Sequence, residues 1–173
     1  KQNYFELVLK SSVDSFRFTF NPQWREDGYC KVVDWGDGVG EDVKNSGSWI
    51  THTYQKAGTY KLRIKANCYH IQFGLRGAEY VYDCNGNWDA LGDITDSTYM
   101  FSGCSNAIFS FATLPRNLVD ASGMFENCYN VELQISKLPN TLVYANNMFQ
   151  RCRKIKLPLS SLPQNLTNGR DMF

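Results

Sequence analysis

The chain has 173 residues, 43% hydrophobic, 20% charged and 14% aromatic, with 18 basic and 17 acidic side chains for a formal net charge of +1. That balance excludes a disordered chain, which would be poor in aromatics and strongly charged, and a sequence-independent nucleic-acid binder, which would carry a basic excess to displace counterions. No apolar run approaches the roughly 18–20 residues that span a bilayer, so no transmembrane segment is expected, and the start at Lys1 without a signal pattern reads as a mature fragment.

Between Tyr4 and about Asn67 the apolar residues keep a period of two: Phe5, Leu7, Leu9; Phe16, Phe18, Phe20; Val32, Val33, Trp35; Tyr60, Leu62, Ile64. A period of two in aromatic and β-branched residues predicts half-buried strands, and Asn21-Pro22, Asp27-Gly28, Gly36-Asp37-Gly38, Asn45-Ser46-Gly47 and Ala57-Gly58 supply the turns between them. Residues 1–67 are expected to form a small β-sandwich. Within them, Val33-Asp34-Trp35-Gly36-Asp37-Gly38 and His52-Thr53-Tyr54-Gln55-Lys56-Ala57-Gly58-Thr59-Tyr60 together resemble the WGDG and HTYxxxGTY signatures of polycystic-kidney-disease (PKD) domains. The resemblance implies an immunoglobulin-like fold and a setting among bacterial surface or secreted proteins. Asp34, Asp37, Glu41 and Asp42 invite a calcium reading, but their spacing is not that of a calcium loop, and turn chemistry is the preferred explanation. His52 reads as a packed strand residue.

Residues 68–98 read as an irregular joining segment and cap. From Tyr99 the chain repeats with an offset of 24: Met100-Phe101, Met124-Phe125, Met148-Phe149 and Met172-Phe173; Cys104, Cys128 and Cys152; Leu114-Pro115, Leu138-Pro139 and Leu162-Pro163; Leu118, Leu142 and Leu166. Repeats of this length point to a stacked solenoid. After each cysteine comes an alternating stretch, 107–111, 131–135 and 155–159, whose first, third and fifth residues are apolar. These stretches predict short strands of a parallel sheet, with Ile108, Glu132 and Lys156 in one column and Ser110, Gln134 and Pro158 in the next on the outer face, where the unit varies most. The unit MFxxCxxhxhxhxxLPxxLxxAxx resembles the BspA-like leucine-rich repeat of bacterial surface proteins over about residues 85–173, loosely before Tyr99. The resemblance implies Phe and Cys in the interior of each unit. Because Met172-Phe173 opens a further unit, more repeats are expected beyond it.

Six cysteines at this length are too few to replace a hydrophobic core. Cys104, Cys128 and Cys152 are expected as buried free thiols, whereas one bridge among Cys30, Cys68 and Cys84 stays open as an alternative. Cys68-Tyr69-His70 lacks the second pair that zinc requires, and no motif supports acyl transfer, nucleotide hydrolysis or dinucleotide binding. No cofactor, metal or nucleic-acid partner is expected. Residues 68–173 hold eight basic and nine acidic side chains, yet Arg151, Arg153, Lys154 and Lys156 fall within six positions. That local charge fits an anionic surface, and Trp88, Tyr129 and Tyr144 are candidates for stacking on sugar rings. Asn165-Leu166-Thr167 is a glycosylation sequon.

The expected whole is a mainly β, exported cell-surface protein, non-catalytic, that binds a host or extracellular protein or glycan through Ile108, Ser110, Glu132, Gln134, Arg151, Arg153, Lys154 and Lys156. A structural spacer and an accessory module of a secreted hydrolase are the alternatives.

Overall fold

The computed structural model describes residues 3–173. Eight strands follow one another among them: β1 (Phe5–Ser11), β2 (Phe16–Gln23), β3 (Tyr29–Asp34), β4 (Glu41–Val43), β5 (Ile50–Tyr54), β6 (Gly58–Asn67), β7 (His70–Gln72) and β8 (Val81–Cys84). They form two antiparallel sheets, one ordered β4-β3-β6-β1-β8 and the other β5-β2-β7. The chain is therefore mainly β, and the paired sheets make a sandwich. The alternation in the sequence sets which faces meet: Phe5, Leu7 and Leu9 of β1, Phe16, Phe18 and Phe20 of β2 and Leu62 and Ile64 of β6 are all buried.

The WGDG and HTY phrases meet at one corner of this sandwich. Trp35 is fully buried, its Nε1 donates to Glu41 Oε1 at 2.9 Å, and its ring stacks on His52 with centroids 4.7 Å apart. The Tyr54 hydroxyl donates to the Trp35 carbonyl at 2.7 Å. Asp34 Oδ1 accepts the Gly36 and Gly38 N–H groups, and Asp37 Oδ2 lies 2.6 Å from His52 Nε2. Gly36 has φ +96°, and a Cβ there would sit 2.6 Å from the Lys61 nitrogen, so the turn admits no side chain. These carboxylates thus cap a turn and orient a histidine, as turn chemistry requires.

The segment expected as an irregular join contains strands. β7 pairs with β2, and β8 pairs with β1 at the edge of the larger sheet. Their apolar residues Ile71, Val81 and Cys84, with Phe73 just after β7, enter the sandwich core, which explains why the segment folds without matching either neighbouring pattern.

Beyond β8 the 24-residue units are joined by backbone hydrogen bonds that recur at the same offset. The N–H groups of Phe101, Phe125 and Phe149 donate to the carbonyls of Met124, Met148 and Met172 at 2.7–2.9 Å, and single parallel bridges link His70, Asp96, Asp120, Tyr144 and Asn168 in turn. The ladder therefore begins on β7. Phenylalanine rings stack along the same axis, Phe5 on Phe73, Phe73 on Phe101, Phe101 on Phe125, Phe125 on Phe149 and Phe149 on Phe173, with centroids 5.5–5.9 Å apart. Sandwich and repeats share one continuous core.

The parallel sheet expected at 107–111, 131–135 and 155–159 does not form as continuous strands; it is reduced to one bridge, Ile108 with Glu132. One local cause stands out: Pro158 has no N–H to give to the preceding unit. The inward alternation is nonetheless present, since Ala107, Phe109, Phe111, Val131, Leu133 and Ile135 are buried.

Candidate functional site

Of the residues expected at a binding face, the structure gathers four around one open groove. Glu132, Leu133, Arg153, Lys154 and Lys156 line a cavity of about 630 Å³. Glu132 reaches it because its backbone is held in register by Ile108: the Phe109 N–H donates to the Glu132 carbonyl at 3.0 Å, and the Glu132 N–H donates to the Ala107 carbonyl at 3.3 Å. Arg153 is steadied by Tyr129, whose ring centroid lies 5.4 Å from the guanidinium carbon. Three cations and one carboxylate line the groove, and none of the four charges forms an ion pair among the described residues.

The remaining expected residues lie elsewhere. Ile108 is 43% exposed on the outer face beside Glu132, and its N–H donates to the Tyr82 carbonyl of β8 at 2.8 Å. Ser110 is exposed but held toward β8 through Asp83. Gln134 is exposed away from the groove lining. Arg151 turns to Asn127 Oδ1 at 3.5 Å. Among the candidate sugar platforms, Trp88 is buried and donates its Nε1–H to the Thr113 carbonyl at 2.8 Å, which removes it from the surface. Tyr144 is exposed, and Tyr129 underlies Arg153. The sequon residue Asn165 donates its side-chain amide to the Asn140 carbonyl.

A second concavity, of about 430 Å³, is bordered by Trp88, Asp89, Asp93, Arg116 and Asn117. Its polar groups satisfy one another: Arg116 lies 3.5 Å from Asp89, and the Asn117 amide donates to Asp93 at 2.8 Å.

The thiols are all free and buried. Cys128 Sγ donates to the Phe101 carbonyl at 3.0 Å and Cys152 Sγ to the Phe125 carbonyl at 2.9 Å, so each ties its unit to the preceding one. Hydrogen bonding with Cys152 and burial raise the Cys128 pKa, and burial raises those of Cys84 and Cys104, which keeps these groups as unreactive thiols at neutral pH. Cys30 is raised likewise, by its hydrogen bond with Cys68 and by burial. Both histidines are engaged, His52 with Asp37 and His70 with Asp96 at 3.2 Å. Burial opposes ionisation of Asp96, but hydrogen bonds from His70 and Thr98 outweigh it and hold the carboxyl at about 2. Among the described residues, no group of three or more His, Cys, Asp or Glu side chains is arranged to hold a metal ion, and no helix is long and apolar enough to cross a membrane.

Reading the sequence alone missed the backbone edge at Val131 and Leu133, for which no residue-type signal exists. It also missed Tyr129 under Arg153, although their separation of 24 positions was available as a signal. No family model, curated protein or solved structure matches the chain.

Proposed function

We propose that this chain is a non-catalytic binding module of an exported, cell-surface protein, and that its repeat units hold an anionic partner, an extracellular protein or a glycan, at the groove around Arg153, Lys154 and Lys156. The observation that carries this reading is the convergence of three unpaired cations on one open groove, in a chain whose net charge is only +1. Charges left without partners at a concave surface favour an oppositely charged ligand and speed its encounter. The likeness of the first half to PKD domains and of the second to BspA-like leucine-rich repeats supports the extracellular setting and the solenoid reading of the repeats.

The test is binding of the purified chain to a panel of sulfated and neutral glycans and extracellular-matrix proteins at low and high salt. Saturable binding to anionic members that weakens with salt supports the reading; no binding by folded protein overturns it. A spacer role is the second reading, favoured by the unbroken phenylalanine stack from Phe5 to Phe173, which joins the sandwich to the repeats. A spacer tolerates changes at Glu132 and Lys156 without functional loss.

A further inference from the structure

A hydrogen-bond ladder stops beside the groove. At Ile108 the neighbouring segments share two bonds, Phe109 N–H to Glu132 O and Glu132 N–H to Ala107 O. One unit later the equivalent groups are the Leu133 N–H with the Lys156 carbonyl and the Lys156 N–H with the Val131 carbonyl. Neither bond forms among the described residues. Backbone groups in such a row alternate in direction, so those of Glu132 turn back to Ile108 while the Leu133 N–H and Val131 carbonyl turn outward. Leu133 lines the groove together with Arg153, Lys154 and Lys156.

An edge of this kind is a template for an added strand. We propose that the groove takes an extended acidic polypeptide segment, which pairs with the edge at 131–135 and sets its carboxylates against Arg153, Lys154 and Lys156. This deepens the binding reading above and rests on it. The charge pattern selects the occupant: three cations against the single Glu132 carboxylate favour acidic residues, and Lys154 and Lys156, two positions apart, match side chains at i and i+2 of a strand, about 6.6 Å apart. Peptide N–H and carbonyl groups are also what the unpaired Val131 and Leu133 backbone groups require, which a glycan does not supply in strand register.

The experiment uses a fluorescent peptide with Glu at alternate positions and Thr or Val between, the same peptide N-methylated at alternate amides, and a sulfated oligosaccharide. Each is titrated against the wild-type chain and against the Arg153→Ala/Lys154→Ala/Lys156→Ala variant, with the Leu133 amide followed by NMR and hydrogen exchange. The proposal expects saturable peptide binding, at least about a tenfold loss on methylation in one of the two registers, loss in the triple variant, and protection of the Leu133 amide only when peptide is bound. Equal binding of methylated and unmethylated peptide in both registers, or a Leu133 amide already protected in the free protein, overturns strand addition. Binding of the oligosaccharide without the peptide also overturns it while leaving the anion-binding reading intact. Binding of neither probe overturns both.

Discussion

Phe73 and Phe101 stack with centroids 5.9 Å apart and planes 22° from parallel, while the Phe73 N–H donates to the Met100 carbonyl at 2.8 Å. This pair couples the sandwich to the repeats, since Phe73 also packs on Phe5 and Phe20 and Phe101 on Phe125. Phe101→Ala is expected to cost about 3–5 kcal/mol through lost burial and the cavity left behind. Chemical denaturation read by both near- and far-ultraviolet circular dichroism checks it: the two signals should shift together, as one core demands.

Gly74, directly after Phe73, lies against the backbone of the first repeat unit. A Cβ there would lie 2.5 Å from the Ser102 nitrogen and 2.6 Å from the Ser102 and Tyr99 carbonyl oxygens, none of which can swing aside as a side-chain tip would. Gly74→Ala should therefore destabilise by roughly 1–3 kcal/mol or more. A melting temperature equal to wild type would contradict that packing.

Asp96 provides a pH test. Its carboxyl is held at about 2 against an ordinary value of 3.8, so the folded state binds the proton less readily than the unfolded state does. The stabilisation is complete above about 3.8 and is lost as the pH falls toward 2. Because the side chain is 38% exposed, solvent screening limits the gain to about 1 kcal/mol. Urea titrations of wild type and Asp96→Asn from neutral to acid pH should show a difference at neutrality that shrinks across that window.

Six free buried cysteines make a counting prediction. The native chain should react slowly with a thiol reagent, and the denatured chain should titrate all six. Fewer than six in denaturant would show a bridge, with Cys30 and Cys68 the first pair to examine because their side chains interact.

The sequence made the sandwich strands legible because a period of two in large apolar residues has one physical meaning at that length, as Phe16, Phe18 and Phe20 show by their burial. The 24-residue offset marked Phe101 with Phe125 and Cys104 with Cys128 as equivalent positions, and the resemblance to BspA-like repeats implied the interior placement that their burial shows. It did not disclose that Asp83 would capture the Ser110 N–H, because that contact spans unrelated segments. Nor did it separate Arg151, which turns to Asn127, from Arg153, which reaches the groove: four adjacent charges look alike until the backbone assigns each a direction.

The most direct measurement is a titration of the folded chain with a sulfated oligosaccharide and with the alternating acidic peptide, from about 0.05 to about 0.5 M salt, beside the Arg153→Ala/Lys154→Ala/Lys156→Ala variant. Binding that weakens with salt and disappears in the variant is the expected result. Binding that survives the loss of all three cations, or that never appears with either ligand, would contradict a partner held at this groove.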